Sequence, residues 1–302
     1  MKILVIGVGG IGGFIGSYLV NNNYDVTFLA RKKRLSYLKN YGLTLQSELQ
    51  NIYCPKIKAI EKIPDEESFD IIINTVKLYD FDSVLDEIKN KVKNKPLIIP
   101  FQNGIYAEEK LKKTLPNIDT VGAVAQISVF IDENQVIKHV GKLATFFVGG
   151  YDVPENKLLE DFCESVQEIG LKIIFKKNIK EKIWEKFIFL SAYSGMTTLF
   201  LKPIGYIFEN KVMRKKFTEA MIETYNLSKK FGVSFKSNPV EFWLEKIKNM
   251  PFDMTSSMHV DFNNNKKLEL DWLSGSIEIL SKTYNLDCPI HSEIVDEIKK
   301  AK

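Results

Sequence analysis

The chain opens with MKILVIGVGGIGGFIG, and no other stretch limits its fold so tightly. Lys2 to Ile6 reads as a short apolar β-strand, and from Ile11 to Val20 the apolar residues take on helical spacing. Between them Gly7, Gly9 and Gly12 stand in G-x-G-x-x-G spacing. Strand, glycine turn and helix together are the context in which this spacing predicts a dinucleotide site. Crowding explains the glycines. The first permits a tight turn, the second lets backbone approach a pyrophosphate, and the third lets the helix pack close on the strand. The helix start adds unpaired N–H groups and the positive end of its dipole. The loop Gly7-Val8-Gly9-Gly10-Ile11-Gly12 is thus the expected phosphate cradle. A glycine turn that only packs helix on strand is the plainer alternative.

The second strand, Tyr24 to Ala30, runs into Arg31. A site for NAD places Asp or Glu about 20 residues past the glycines to hold the ribose 2′-hydroxyl. No acid stands at this strand end; Asp25 lies at its start and Arg31-Lys32-Lys33-Arg34 follows. A guanidinium matches a 2′-phosphate bidentately. The expected cofactor is therefore NADP (NADPH), with Arg31 as its reader. A solvated basic turn is the alternative, and it accounts for Lys33 and Arg34 better than for Arg31.

At 302 residues the chain has room for two domains. The net charge of +4 is spread over many residues, and the densest basic runs, Arg31 to Arg34 and Lys89 to Lys95, lack the interleaved aromatics of a nucleic-acid binder. Cys54, Cys163 and Cys288 are far apart and lack metal-ligand spacing, so no metal is expected. An odd, sparse cysteine count fits a reducing compartment. The glycines at the start argue against a secretory h-region, and no segment approaches the ~18 apolar residues of a membrane span. A cytoplasmic protein with no membrane partner is expected.

Along the chain, Leu43 to Ile60 reads as a hairpin or a pair of short strands. Phe69 to Val76 and Pro96 to Pro100 read as buried parallel strands, with a helix from Tyr79 to Lys93 between them. Lys77 and Asn103 fall at the carboxyl ends of those two strands, where ligands bind in doubly wound sheets. A helix over Ala107 to Leu115 follows. Next come extended segments at Thr120 to Ile131, Gln135 to Leu143 and Ala144 to Val148, a helix over Glu155 to Ile169 and a strand over Leu171 to Phe175. Beyond Lys177 the periodicity is helical, with turns at Lys202-Pro203, Asn238-Pro239 and Asn249 to Asp253. The prediction is an α/β Rossmann-type doubly wound domain over residues 1–178 and an all-helical domain over residues 179–302.

Taken together, GVGGIGG at Gly7, Arg31, NTVKLYD around Lys77, QNGIYAEE around Asn103, HVGKLATFFVGG, WEKF around Lys186, SSM at Ser256 to Met258 and LELDWLSG around Glu269 run in a telling order. The chain resembles the 2-dehydropantoate 2-reductase (ketopantoate reductase) family over nearly its whole length. The resemblance implies a C-terminal domain like that of 6-phosphogluconate dehydrogenase, a 2-oxo acid substrate held between the domains, and a homodimer formed through the helical domain.

It also implies roles. Lys186 would be the catalytic lysine, since hydride transfer to a ketone builds negative charge that an ammonium stabilises and can protonate. An apolar setting would make it a better acid. Glu269, on a stretch read as helix, would accept hydrogen bonds from substrate or nicotinamide-side hydroxyls. Ser257 would hold the substrate carboxylate, Asn103 would bridge nicotinamide and substrate, and Lys77 would serve the cofactor. Without the family pattern these residues read as exposed helix, capping or loop positions, and His259 reads as a surface histidine.

Three substrate-side positions where the family usually carries Asn hold Leu190, Ser194 and Ile204. The expected activity is NADPH-dependent reduction of ketopantoate to pantoate, a step toward pantothenate and coenzyme A. The alternatives are a relative that reduces a more apolar 2-oxo acid, because an apolar pocket discriminates hydroxyls poorly, and an NADP-binding sensor without turnover.

Overall fold

Four apolar residues in sequence, Ile3 to Ile6, are wholly buried in β1 (Lys2–Ile6), which sits at the centre of a five-stranded parallel sheet. The computed structural model describes residues 1–152 and 155–302 of the chain. After α1 (Gly10–Asn21), β2 (Asp25–Leu29) pairs with one edge of β1. The chain continues through α2 (Lys32–Tyr41), β3 (Leu43–Gln46), β4 (Ile52–Cys54) and β5 (Lys58–Ile60), and β5 joins β2. Then β6 (Ile71–Asn74) pairs with the other edge of β1, and β7 (Leu97–Pro100), reached through α3 (Leu78–Lys91), closes the order β5-β2-β1-β6-β7. The connection reverses direction between β1 and β6, which is where ligands bind in such sheets.

The sequence-predicted hairpin over Leu43 to Ile60 is divided between two sheets. β3 and β4 form an antiparallel hairpin, while β5 belongs to the parallel sheet. After α4 (Tyr106–Thr114), β8 (Val121–Ile131) and β9 (Ile137–Gly150) form a long antiparallel pair. The two extended segments predicted at Gln135 to Leu143 and Ala144 to Val148 are thus one strand. β3 lies parallel to β9 on one side, and β10 (Ile173–Phe175), which follows α5 (Lys157–Glu168), lies parallel to it on the other.

This second sheet explains the composition of α1. The helix is apolar or small all round, and Gly12 to Leu19 are buried, as expected of a helix covered on every side. It packs against β1 and β2 of the first sheet and against β3, β4, β8 and β9 of the second. A Cβ at Gly13 would overlap Ile137, and one at Gly16 would overlap the ring of Phe28. Phe14 meets Phe146 at 6.0 Å between ring centroids, and Phe101 meets the same ring at 5.5 Å. Burying a side chain of this size contributes about 2–3 kcal/mol.

The chain divides into two compact units, Met1–Gln102 with Ala107–Ile179 and Asn103–Tyr106 with Lys180–Lys302. The second is helical. Its spine is α6 (Ile179–Phe200), followed by α7 (Ile204–Glu209), α8 (Lys211–Lys230), α9 (Pro239–Ile247), α10 (Ser257–Asn263), α11 (Ser274–Thr283) and α12 (Pro289–Lys300). The helix starts follow local chemistry. Asn210 caps α8, and Asn238, followed by Pro239 in the first turn, caps α9. Glu269, predicted to be helical, instead precedes a single 3-10 turn, Leu270–Trp272. Among the described residues no helix is long and apolar enough to cross a membrane.

Candidate functional site

The glycine turn is built as its spacing predicts. Gly7 sits at φ +85°, and a Cβ there would lie 2.8 Å from Val76 N. Its N–H donates to Leu29 O at 3.1 Å, and the Thr75 hydroxyl donates to Gly7 O at 2.5 Å, so the turn is held by β2 and by the residue after β6. A Cβ at Gly12 would overlap Gly7 O and Thr75 Oγ1. A Cβ at Gly10 would lie 2.7 Å from Val129 O. Gly9 differs, because nothing lies within 4 Å of where its Cβ would be. It is the N-cap of α1, with no side-chain cap and no acid in the first turn. Four orphan N–H groups per helix start need a partner. Val8 is buried and Ile11 half-buried, so the open space lies over Gly9.

A cavity of about 420 Å³ adjoins this turn, lined among others by Gly7, Gly9, Arg31, Arg34, Asp80 and Gln135. Arg31 is the N-cap residue of α2. Its side chain is 46% exposed and makes one long contact, 3.5 Å to Glu87 Oε2, so it remains available to a ligand. Arg34 departs from the solvated turn that the sequence suggests. It is half-buried, its Nε donates to Val8 O at 2.9 Å, and its Nη1 donates to Gln135 O at 2.6 Å. Burial lowers its pKa to about 10. A run of four bases reads as exposed; only the approach of the β8–β9 turn, a hundred residues on, buries one of them.

Lys77 is half-buried at the N-cap position of α3, and its carbonyl accepts from Asp80 N at 2.9 Å. One residue before Asn103, the buried Gln102 side chain donates to Asn74 O, Asn74 Oδ1 and Val76 O, tying the carboxyl ends of β6 and β7 together.

In the helical unit, Lys186 and Asn103 meet. The half-buried Lys186 Nζ donates to Asn103 Oδ1 at 2.9 Å, across 83 residues of sequence. Gly104, at φ +83°, lets the loop pass close. A Cβ there would lie 3.5 Å from the Phe187 ring and 3.4 Å from Trp272 O. Trp272 N in turn donates to Glu269 O at 3.1 Å. The Asn103-Gly104 segment therefore runs between the lysine-bearing turn of α6 and the 3-10 turn that begins after Glu269. Glu269 itself is buried, at 6% exposure.

Ser257 is exposed at the first position of α10. The capping role falls to its neighbour. Ser256 Oγ accepts from His259 N at 3.1 Å and bonds Thr197 Oγ1 at 2.7 Å, so α10 is pinned to α6. Ser194 is 1% exposed, and its carbonyl accepts from Thr198 Oγ1. Ile204 is equally buried and Leu190 half-buried. His259 is buried rather than on the surface, with Nδ1 at 2.5 Å from Thr255 Oγ1, and burial lowers its pKa. Tyr193, two turns beyond Lys186 on α6, is buried with an unpaired hydroxyl. Among the described residues no cluster of three or more His, Cys, Asp or Glu could hold a metal.

Comparison with known proteins covers both units. The family model described as Ketopantoate reductase PanE/ApbA matches residues 3–152, and the model of that family's C-terminal part matches residues 178–302. A Bacillus subtilis (strain 168) protein, described as the uncharacterized oxidoreductase YkpB, is 30% identical over 291 residues, 96% of this chain and 95% of its own. The 2-dehydropantoate 2-reductase of Pyrococcus horikoshii is 28% identical, covering 96% of this chain and 94% of its own. The crystal structure of 2-dehydropantoate 2-reductase from Geobacter metallireducens GS-15 superposes with a TM-score of 0.89 at 20% identity, over the whole of both chains. With the glycine turn, the lysine–asparagine pair and family models spanning both units, the chain belongs to the ketopantoate reductase PanE/ApbA family.

Proposed function

We propose that this protein reduces a 2-oxo acid with NADPH, and that ketopantoate, giving pantoate, is its substrate. The observation that carries the reading is the 2.9 Å hydrogen bond from Lys186 Nζ to Asn103 Oδ1. That bond fixes the direction of the ammonium, which suits a group that must meet a developing oxyanion. In this reading residues 1–178 hold the dinucleotide and residues 179–302 supply the substrate and catalytic groups.

The cofactor half fits a dinucleotide phosphate. The space over Gly9 is open and the N-terminus of α1 carries no cap. The first turn of α2 is likewise uncapped and without an acid, and it holds Lys32, Lys33 and Arg34. Bases at a helix N-terminus oppose the macrodipole, each by ~0.3–1 kcal/mol. Such an arrangement is reasonable where an anion binds. The absence of an acid after β2 and the exposure of Arg31 favour a 2′-phosphate, hence NADP over NAD.

A bound nicotinamide would supply the hydride. Lys186 Nζ would stabilise negative charge on the substrate oxygen and deliver its proton there, with Asn103 fixing the direction of Nζ. The Ser257 hydroxyl, free on the surface of α10, would bond the substrate carboxylate, and Glu269 would accept from a substrate or ribose hydroxyl. Lys77 would stand on the cofactor side. A homodimer through the helical unit and a cytoplasmic setting, consistent with three free cysteines, belong to the same proposal.

One observation favours a second reading. Leu190 lies one turn beyond Lys186 and is half-buried, where the resemblance leads one to expect an amide. A relative acting on a more apolar 2-oxo acid would use such a wall. A panel of 2-oxo acids assayed with NADPH and with NADH tests both. Turnover of ketopantoate with NADPH supports the first. Turnover confined to apolar 2-oxo acids supports the second. NADPH binding with no turnover on any of them overturns both and leaves a sensor.

A further inference from the structure

We infer that Arg34 is a positioning residue for the dinucleotide turn: its guanidinium clamps Val8 to the β8–β9 turn and brings an uncompensated charge to the start of α1. This rests on the cofactor reading above.

The geometry is specific. Nε donates to Val8 O, the carbonyl in the middle of the glycine turn, and Nη1 donates to Gln135 O, at 2.9 and 2.6 Å. Gln135 sits at φ +64°, in the left-handed region, so the turn that presents its carbonyl is itself held in an uncommon conformation. Asp132 supports that turn by accepting from Val136 N at 2.9 Å, and its other oxygen faces Lys138 at 3.6 Å. The third nitrogen of Arg34, Nη2, is buried without a partner, 3.9 Å from where a Gly13 Cβ would stand.

The electrostatics point the same way. Among the described residues the hydrogen bonds of Arg34 go to two carbonyls, and its guanidinium lies 5.7 Å from the centre of the Tyr37 ring. The ion pairs found among the described residues give it no carboxylate, and burial lowers its pKa to about 10. Desolvating a guanidinium next to the positive end of a helix is unfavourable in itself. The cost is offset if an anion lies on the same turn. Removing two charged hydrogen bonds should therefore loosen the turn rather than a single ligand contact, because Arg34 acts through Val8 while Arg31, held only by its 3.5 Å contact to Glu87, lines the cavity.

The test is equilibrium binding of NADPH and of NADH to the whole chain by calorimetry, for wild type, Arg34→Lys, Arg34→Gln and Arg31→Ala, with hydrogen exchange at the amides of Val8 to Gly10 as a second readout. Both Arg34 variants are expected to weaken both dinucleotides by a similar factor, about tenfold or more, and to speed exchange at Val8 to Gly10. Arg34→Lys, which keeps the charge but cannot span both carbonyls, decides the matter should Arg34→Gln fail to fold. Arg31→Ala is expected to weaken NADPH alone. Wild-type binding of both dinucleotides by Arg34→Lys, with unchanged exchange, overturns the clamp while the cofactor reading stands. A loss confined to NADPH also overturns it, since that marks a direct phosphate contact. A wild-type chain that binds neither dinucleotide overturns the cofactor reading and the clamp together.

Discussion

Lys186 Nζ and Asn103 Oδ1 lie 2.9 Å apart in the helical unit, although Asn103 follows the last strand of the parallel sheet in sequence. Asn103–Tyr106 group with that unit and not with the strand they follow in sequence. A side chain carried there by a loop at a strand's carboxyl end aims the ammonium of α6. Lys186→Ala is expected to lower kcat by about 10²–10⁴ while the dissociation constant of NADPH stays near wild type. Asn103→Ala should lower kcat less, since Nζ remains but loses its direction. The check is steady-state kinetics alongside direct cofactor titration; equal turnover in Lys186→Ala removes the lysine from chemistry.

Two glycines of one motif should respond in opposite ways to the same methyl group. A Cβ at Gly12 overlaps Gly7 O and Thr75 Oγ1, so Gly12→Ala must displace backbone, at about 1–3 kcal/mol. A Cβ at Gly9 meets nothing within 4 Å, and φ there is −83°, which any residue adopts. Gly9→Ala should then keep its denaturation midpoint within about 1 kcal/mol and yet bind NADPH more weakly, because the open space is the space a phosphate would occupy. Chemical denaturation and calorimetry separate the two. Unaltered affinity in Gly9→Ala would mean that the motif serves packing alone.

The parallel strands were legible because burial on both faces leaves nothing but apolar residues. β1 falls on Lys2–Ile6, and β6 and β7 fall inside the predicted FDIIINTV and PLIIP runs. The second sheet was not legible. Leu43 to Ile60 alternates throughout, and alternation carries no information about whether a strand joins β9 or β2. In the same way the resemblance names Lys186 and Asn103, but their contact spans 83 residues, and Arg34 reads as solvent-exposed until Gln135 reaches it from 101 residues away. The stretch around Glu269 reads as helix, yet Leu273, at ψ −97°, breaks the spiral between the 3-10 turn and α11.

Tyr193 offers a prediction of the opposite sign to most substitutions. Its ring stacks on Phe189 at 5.0 Å and 16°, and its hydroxyl is buried without a partner. Burial raises its pKa, so the phenol stays neutral. An unpaired buried hydroxyl costs about 1–3 kcal/mol in desolvation. Tyr193→Phe keeps the stack and removes the orphan, so it should raise the denaturation midpoint, whereas Tyr193→Leu, which loses the stack, should lower it. A destabilised Tyr193→Phe would show that the hydroxyl has a partner in solution.

His291 makes the helical unit sensitive to acid. It is fully buried, and burial lowers its pKa to about 4 against the bond to Ala220 O, which favours the charged form. That carbonyl can only accept, so the proton sits on Nε2, 3.0 Å away, and Nδ1 accepts from Ser274 Oγ at 3.2 Å. Thr224 Oγ1, 2.9 Å from Nε2, links the ring to Ser191. A second proton on Nδ1 would turn the Ser274 hydroxyl from donor to acceptor and leave a buried charge. Because the unfolded chain takes up that proton near pH 6.5 and the folded one only near pH 4, the unfolded state binds more protons in that window. Stability therefore falls as pH drops through it, by at most about 3 kcal/mol. His259, also lowered by burial, adds a slope of the same sign. Glu223 opposes it: its carboxylate accepts from the N–H groups of Ile290 and His291, but burial raises its pKa, so its contribution grows as pH falls. Urea denaturation between pH 7 and pH 4 should show a declining midpoint in the wild type and a flatter one in His291→Gln. In Glu223→Gln the decline should be steeper. A His291→Gln profile that falls as steeply as wild type would place the acid sensitivity elsewhere.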